Sequence, residues 1–310
     1  MKTNNIGKLK LKNPLMVASG TFGYAEEFKD FINLKKLGAI VTKTITLEPR
    51  RGNQPPRTCE TPAGMLNSIG LENPGIEVFL KEKLPTLFKI GPPVIVSISS
   101  VKNPREFIVL ARRLDKIKEV SAIEINISCP NVKDLKSRNY NLAPRLISQD
   151  ARATYNVVRS VRKVTKKTLI TKLSPNVTDI IEIAKAAKRA GSDALALINT
   201  LSGMSIDVDA RKAKLAAVSG GLSGPAIRPV AVKMVWEVYS KVKIPIIGMG
   251  GIMDVESALE FFIAGATAIS IGTANFINPK VSIEIAAGIK QYLTKNKIKN
   301  MQNLIGSLKT

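Results

Sequence analysis

Short runs of apolar and often β-branched residues recur along the chain, and each run ends in small or polar residues. Most runs are continuously apolar rather than alternating, a pattern typical of strands buried on both faces of a parallel sheet. The predicted strands are 14–20, 39–44, 93–99, 122–128, 168–174, 194–200, 245–251 and 268–273. The pattern therefore predicts a parallel sheet covered by helices.

The segments between these runs carry helical periodicity. In 178–190 the apolar residues fall on one face, Thr178 is the expected N-cap and Gly191 the expected stop. A second helix is expected over 223–243, where Pro225 suits the first turn. Repeated alternation of strand and helix predicts an α/β fold, a (β/α)8 TIM barrel. A doubly wound open sheet is the alternative.

Three connections between predicted strands are longer than a single helix requires, namely 45–92, 129–167 and 201–244. Long connections within compact domains tend to carry function. No stretch rich in Gly, Ser or Pro separates parts of the chain, so we expect one domain over residues 1–310. In a barrel of this kind, the active site is expected at the carboxyl ends of the strands.

Composition narrows the chemistry. Histidine is absent, which excludes Ser-His-Asp catalysis, Cys-His catalysis and histidine-ligated metals, and we predict no metal site. The two cysteines, Cys59 and Cys129, are too few for a disulfide framework or an iron–sulfur cluster. No apolar run approaches the roughly 18 residues of a membrane-spanning helix, and residues 1–15 lack the apolar stretch of a signal peptide. We therefore expect a cytoplasmic protein without membrane contact.

The formal net charge of +23 has two interpretations. Clustered Lys and Arg side chains attract nucleic acids and acidic proteins, so a basic phosphate- or RNA-binding barrel without catalysis is one alternative. The other is a lysine-rich bias spread over solvated helix faces. The chain has no RNA-binding signature and only 5% aromatic residues to stack on bases, so we favour the second and predict no nucleic-acid partner. The positive field still favours an anionic substrate and a phosphorylated cofactor.

Polar residues close several of the predicted strands. Lys43, Asn126, Lys172 and Asn199 stand at four strand ends. Buried polar groups cost free energy unless they are paired, so a shared site at the mouth of the barrel is expected. Cys129 follows the fourth run directly. A lone cysteine is more often an inert buried residue, but this position makes it a candidate base or nucleophile beside the lysines.

The last two strands end in glycines. Gly250 and Gly251 close the seventh run, and Gly272 and Thr273 close the eighth. Glycine lets backbone N–H groups approach phosphate oxygens, and barrels often bind phosphate at these two strands, although tight turns alone would also use glycine. The chain has neither a dinucleotide fingerprint nor a Walker sequence. We therefore expect the phosphate of a mononucleotide such as FMN.

Seven short motifs follow one another along the chain. They are NSIGLENPG at 67–75, NISCPN at 126–131, TKLSPN at 171–176, NT at 199–200, GGLSGP at 220–225, IIGMGG at 246–251 and GTANF at 272–276. This ordered set resembles the class 1 dihydroorotate dehydrogenases, from residue 14 to residue 279. The resemblance implies a β/α barrel that carries FMN at its mouth and oxidises dihydroorotate to orotate in pyrimidine (UMP) biosynthesis.

The resemblance also implies a role for each matching residue. Cys129 would be the general base that removes the C5 proton while hydride passes from C6 to the flavin, and Lys43 would lie between flavin and substrate. The implied substrate-binding residues are Lys43, Asn67, Ser68, Ile69, Gly70, Leu71, Asn126, Asn131, Asn199 and Thr200. The implied cofactor-binding residues are Ser19, Lys43, Thr44, Ser97, Asn126, Lys172, Ile198, Gly224, Gly250, Gly251, Gly272 and Thr273. Among these, Lys172 would stabilise negative charge on the reduced flavin.

Two motifs, AGMLNSIGLENPG at 63–75 and GMGG at 248–251, look most like subclass 1B. Membership of that subclass implies a homodimer and a partner subunit that carries FAD and a 2Fe-2S cluster, forms a heterotetramer and passes electrons to NAD. The fumarate-using homodimers of subclass 1A are the alternative. Two features depart from the family pattern. Ser97 replaces a usual flavin-contacting asparagine, and the segment 132–150 is longer and more basic than the usual loop.

Overall fold

A closed barrel of eight parallel strands forms the centre of the computed structural model, which describes residues 4–100, 103–128 and 146–309. The strands in the described ranges are β1 (Asn4–Ile6), β2 (Leu9–Leu11), β3 (Leu15–Val17), β4 (Ala39–Val41), β5 (Thr58–Thr61), β6 (Gly64–Asn67), β7 (Val94–Ile98), β8 (Val120–Asn126), β9 (Thr168–Lys172), β10 (Ala194–Leu197), β11 (Leu201–Gly203), β12 (Ile206–Asp207), β13 (Lys212–Ala213), β14 (Gly220–Ser223), β15 (Ile246–Gly248) and β16 (Ala268–Ile271). The barrel strands are β3, β4, β7, β8, β9, β10, β15 and β16, and β16 closes onto β3. The predicted barrel is confirmed and the open-sheet alternative is wrong.

Each barrel strand falls on one of the predicted runs, but the runs continue past the strand ends. The run 194–200 is an example. Its strand stops at Leu197, and Asn199 lies in the following loop, where its side chain donates hydrogen bonds to Ser128. The prediction of a single domain over residues 1–310 stays a prediction.

Helices follow most barrel strands. Those in the described ranges are α1 (Gly75–Val78), α2 (Leu84–Ile90), α3 (Arg105–Asp115), α4 (Ala151–Arg162), α5 (Ile180–Ala190), α6 (Arg228–Lys241), α7 (Val255–Ala264), α8 (Ala274–Ile277) and α9 (Val281–Lys295). A π-type turn over Phe79–Lys83 joins α1 to α2. Short 3-10 turns occupy Glu26–Phe28, Leu34–Lys36, Ile147–Gln149, Pro225–Ile227 and Met301–Asn303.

Both predicted helices are confirmed, with different starts. The N-cap of α5 is Asp179 and not Thr178, because the Asp179 carboxylate accepts from the backbone N–H of Ile181 at 2.7 Å. A carboxylate at this position satisfies helix N–H groups that have no partner within the helix. Gly191 ends α5 in the left-handed region, as predicted. The second helix begins at Arg228, after a 3-10 turn that contains Pro225.

Two apolar cores explain the continuously apolar strands. Alternate residues such as Met16, Ile95 and Ile170 face the barrel interior, which the β1–β2 hairpin contacts through buried side chains such as Ile6. The other residues of each strand, such as Val17, pack outward against the helices. Because both faces are buried, the sequence of these strands shows no polar alternation.

A second, antiparallel sheet is formed by two connections far apart in sequence. Strands β5 and β6 come from the long connection after β4, and strands β11 and β14 come from the connection after β10. Their order is β11-β14-β6-β5, and Asn67 of β6 pairs with Gly221 of β14. We call these four strands the accessory sheet. It leads directly from β6 into the loop predicted to hold the substrate.

Helix α7 begins just after the Gly250–Gly251 turn and is capped by Asp254. The Asp254 carboxylate accepts from the Ser257 N–H at 2.8 Å and from the Ser257 hydroxyl at 2.7 Å. These hydrogen bonds, first from the backbone and then from the side chain of Ser257, hold the pKa of the Asp254 carboxyl below its ordinary value. The ionised form therefore contributes to the stability of the fold.

Replacing Asp254 by alanine is expected to lower the free energy of unfolding by about 1 kcal/mol at neutral pH. Because the folded-state pKa is lowered, the contribution is complete above the unfolded pKa of about 3.9 and is lost as the pH falls through the folded value. Urea unfolding at pH 7 and at pH 3 measures both effects. Asp254→Asn is the matched control, since an amide oxygen still caps the helix but does not ionise. An equal loss for alanine at both pH values would contradict the prediction.

Candidate active site

The predicted strand-end residues meet at the carboxyl end of the barrel. Asn126 closes β8 and Lys172 closes β9, and their Cα atoms are register partners. Both side chains are buried, at 6% and 5% exposure. Lys43 and Asn199 lie half-buried just after β4 and β10. The predictions for Cys129 and Asn131 fall outside the described residues.

A chain of polar contacts joins the ends of β8 and β10. The Asn199 Nδ2 donates to the Ser128 carbonyl at 3.1 Å and to the Ser128 hydroxyl at 2.9 Å. The Ser128 hydroxyl in turn donates to Asn126 Oδ1 at 3.1 Å. Ser128 is fully buried and was not predicted as a site residue. Its position two residues after Asn126 was the sequence signal that could have placed it in the site. These contacts fix two predicted amides relative to each other.

A second network runs beneath the mouth through three hydroxyl groups. Thr44 Oγ1 lies 3.1 Å from Ser19 Oγ and 3.0 Å from Ser97 Oγ, and it accepts from Asn126 Nδ2 at 3.1 Å. The Ser97 hydroxyl donates to the Glu124 carboxylate at 2.8 Å. Ser97 and Glu124 are buried behind Thr44, whereas Ser19 is half-buried at the mouth. Glu124 was missed by sequence reasoning.

The Lys172 side chain has no hydrogen bond or ion pair with any residue of the described ranges. A cation on a side chain this enclosed is stabilised by a nearby anion. Lys172 is the last residue of β9, so it lies at the mouth of the barrel. An anionic ring system or substrate bound there would supply the missing partner, so the residue fits a flavin that gains negative charge on reduction.

The glycines that follow the last two barrel strands are required for different physical reasons. Gly250 and Gly251 have φ values of 121° and 78°, and a Cβ on Gly251 would lie 2.7 Å from the Cβ of Arg228. Backbone geometry and packing alone therefore require them. Gly272 has neither constraint, since an added Cβ would meet nothing closer than 3.7 Å. Its lack of a side chain leaves the backbone open to a close ligand, which fits a phosphate beside Thr273.

Two further predicted cofactor residues are packing positions of the mouth. Gly224 has φ 95°, and a Cβ there would lie 2.7 Å from the Cα of Gly64. The turn that follows β14 therefore packs against the start of β6 at this point. Ile198 is buried after a cis peptide bond with Leu197, and its Cγ1 would lie 3.3 Å from a Cβ on Gly250. The Gly224 carbonyl oxygen would likewise lie 2.9 Å from a Cβ on Gly251, so both residues lie against the turns predicted to bind phosphate.

The predicted substrate loop leaves β6 in an unusual backbone conformation. Gly70 has φ 75° and Leu71, which is not a glycine, has φ 58°. Non-glycine residues in this region are uncommon and cluster at ligand sites. Asn73 holds the conformation, because its Nδ2 donates to the Leu71 carbonyl at 2.7 Å and to Thr46 Oγ1 at 2.8 Å. The loop is thereby tied to the segment that follows β4.

Other predicted substrate residues are placed by the accessory sheet. The Asn67 Nδ2 donates to the Gly221 carbonyl at 3.2 Å, and Thr200 fills the space that a side chain at position 221 would need. Ser68 is fully buried, with no partner for its hydroxyl in the described chain, and Ile69 is half-buried. Asn67 and Thr200 are thus brought together across β14.

Glu72 adds a charge that sequence reasoning did not assign. Its carboxylate lies 3.0 Å from a guanidinium nitrogen of Arg57 and 3.9 Å from Lys43 Nζ. These groups are partly exposed, so the pairs contribute little to stability. They do place the end of the substrate loop beside Lys43, and Glu72 partly balances that positive charge.

Two global properties bear on the site. No group of three or more acidic or cysteine side chains is arranged to hold a metal ion in the parts of the chain that the structure describes. Across the same ranges, each helix is too short or too polar to cross a membrane.

Comparison with known proteins decides the family. The family model for dihydroorotate dehydrogenase matches residues 1–293. The chain belongs to the dihydroorotate dehydrogenase family. It is 52% identical over 303 residues to the "Dihydroorotate dehydrogenase B (NAD(+)), catalytic subunit" of Trichlorobacter lovleyi, covering 98% of this chain and 97% of the relative. Proteins of the same name from Geotalea daltonii and Thermoanaerobacter pseudethanolicus are 52% and 51% identical over 98% of this chain and 97% of each relative.

These relatives confirm the predicted dihydroorotate dehydrogenase family and its subclass 1B. The roles of individual residues, the cofactor and the assembly stay predictions. Among the residues expected to act in a dihydroorotate dehydrogenase, the described ones converge on one end of the barrel, and two lie outside the described ranges.

Proposed function

We propose that this chain is the FMN-carrying catalytic subunit that oxidises dihydroorotate to orotate in pyrimidine biosynthesis. One observation supports the cofactor most directly: Lys172 is only 5% exposed at the end of a barrel strand, and its side chain makes no hydrogen bond or ion pair within the described residues. The anionic substrate and the anionic reduced flavin both match a lysine in this position. Membership of the family supports the substrate.

The chain's own residues divide the work as follows. Cys129 takes the C5 proton of dihydroorotate, and the amides of Asn67, Asn126, Asn131 and Asn199 hold the ring and carboxylate together with Thr200. When bound, FMN supplies the acceptor for the hydride that leaves C6, so that a C5–C6 double bond forms.

Basic and small residues hold the cofactor. Lys172 stabilises negative charge on it, Lys43 lies between it and the substrate, and Ser19 and Thr44 line it. Gly272 and Thr273 receive its phosphate with Gly250 and Gly251.

We further propose a homodimer of this chain that joins an FAD and 2Fe-2S subunit in a heterotetramer and passes electrons to NAD. The printed name of the relatives, a NAD(+) form and a catalytic subunit, supports a partner of this kind. The two cysteines of the chain agree with a cluster carried elsewhere.

The test begins with the purified protein, which is expected to show the absorbance of oxidised flavin and to lose it when dihydroorotate is added without oxygen. A colourless protein that does not take up added FMN would remove the proposal. For the acceptor, NAD is expected to reoxidise the enzyme only when the co-purifying iron–sulfur flavoprotein is present. Rapid reoxidation of the chain alone by fumarate would favour subclass 1A chemistry instead.

A further inference from the structure

Glu124 is a buried acid in the barrel that the proposed mechanism does not use. It lies on β8, two residues before Asn126, and only 2% of its surface is exposed. Ala122 belongs to the interior core, so strand alternation directs Glu124 to the same interior. A carboxylate at this depth needs hydrogen bonds. The Ser97 hydroxyl supplies one at 2.8 Å.

This contact commits the only proton of Ser97. A hydroxyl has one proton to donate and two lone pairs, and an ionised carboxylate only accepts. Thr44 Oγ1 lies 3.0 Å from Ser97 Oγ, a separation that requires one of them to donate. Because Ser97 has already donated to Glu124, the donor is Thr44.

The same reasoning extends to the mouth. Thr44 Oγ1 accepts from Asn126 Nδ2 at 3.1 Å and lies 3.1 Å from Ser19 Oγ. The single proton of Thr44 is committed to Ser97, so the contact with Ser19 forms only if Ser19 donates. Ser19 therefore has no proton left, and at the half-buried mouth it offers only lone pairs.

We propose that Glu124 is a positioning residue of the flavin site. It fixes which hydroxyl group donates in each contact, Ser97 to Glu124, Thr44 to Ser97 and Ser19 to Thr44. Ser19 is thereby held as a hydrogen-bond acceptor at the mouth. This inference rests on the proposed function, because it assigns a role toward bound FMN. We call these three hydroxyl groups and Glu124 the relay.

The relay sets how readily the bound flavin is reduced. A reduced flavin is richer in electrons than an oxidised one, so at a ring position that carries the same protons in both states a hydrogen-bond donor stabilises the reduced form more and an acceptor stabilises it less. While Ser19 is held as an acceptor, reduction is opposed. Without the carboxylate, the three hydroxyl groups can exchange donor and acceptor roles, since an amide at position 124 both donates and accepts. Ser19 is then able to donate to the flavin.

The experiment compares Glu124→Gln, Ser97→Ala and the double variant as FMN-loaded proteins, and measures the midpoint potential by equilibration with redox dyes. Each single variant is expected to raise the ratio of reduced to oxidised flavin at a fixed potential about tenfold, which is about 30 mV for a two-electron couple. The double variant is expected to show no more than either single change, because both interrupt one chain.

Matched variants separate the relay from general damage. Thr171→Val removes an equally buried hydroxyl on β9, one that bonds Ser192 at 2.8 Å, and is expected to leave the potential unchanged. Ser97→Thr keeps the hydroxyl and is expected to retain the wild-type potential. The dissociation constant of FMN and the urea midpoint of each variant report binding and folding separately.

Additive shifts in the double variant would overturn the proposal, since the carboxylate would then act by its field and not through Ser97. Unchanged potentials in both single variants would overturn it as well. A wild-type protein that never binds FMN removes this inference together with the proposed function. If FMN binds but dihydroorotate does not reduce it, only the proposed function fails, and the dye potentials still decide for or against the relay.

Discussion

Replacing Cys129 by alanine is expected to slow the reduction of bound FMN by dihydroorotate by a factor of about 10² to 10⁴, the contribution of a positioned general base. The preceding residue, Ser128, is buried and bonded to both Asn126 and Asn199, so the chain enters this segment from a fixed point at the mouth. Alanine removes the thiol that we propose as the proton acceptor and leaves these anchors intact. Anaerobic stopped-flow absorbance measures the rate, and the FMN content of the variant is expected to match the wild type.

The second cysteine provides the control for this prediction. Cys59 lies half-buried on β5 of the accessory sheet. Cys59→Ala is expected to reduce its flavin at the wild-type rate. An unchanged rate in the Cys129 variant would mean that another group removes the C5 proton.

Replacing Lys172 by methionine is expected to slow the same half-reaction by about 10²-fold, the usual loss when a preorganised electrostatic contact to developing charge is removed. Methionine fills a similar volume, and no protein partner in the described chain is left unpaired by the change. Folding should therefore be retained. Stopped-flow reduction and an FMN titration separate slower chemistry from weaker binding.

Lys167, on the segment that precedes β9, is the matched control for Lys172. Burial lowers the pKa of its ammonium group, and Nζ donates to the carbonyls of Ile117 and Val120, each at 2.7 Å. Lys167→Met is expected to lose about 1–3 kcal/mol of unfolding free energy while reducing flavin normally. If the Lys172 variant behaved like this control, the role of Lys172 at the flavin would be lost.

The barrel was predictable because its signal is local. A strand buried on both faces must be apolar at nearly every position, and each such run marked one barrel strand. The strand ends were less predictable. Asn199 and Thr200 fall within a predicted strand, but the strand ends at Leu197. Both residues lie in the loop that follows, Asn199 in contact with Ser128 and Thr200 beside Gly221 of the accessory sheet. Nothing within the run itself indicates those distant partners.

The accessory sheet and the relay were missed for the same reason. Strands β5, β6, β11 and β14 are three or four residues long and mostly half-exposed, so they show no clear apolar pattern. Their register depends on pairing between segments remote in sequence. Glu124 did carry a local signal, since it is an acid inside an apolar run. Its partner Ser97 lies on the neighbouring strand, and only the folded barrel reveals it.

The pairing of Asn67 with Gly221 also orders events during synthesis of the chain. A contact that spans so many residues closes only after the later segment has left the ribosome, and long-range strand pairing is slow. The first barrel strands emerge well before β14, so the side of the mouth that we propose for the substrate is completed late. Nascent chains arrested before residue 220 would then lack one wall of the pocket and would not bind a ligand.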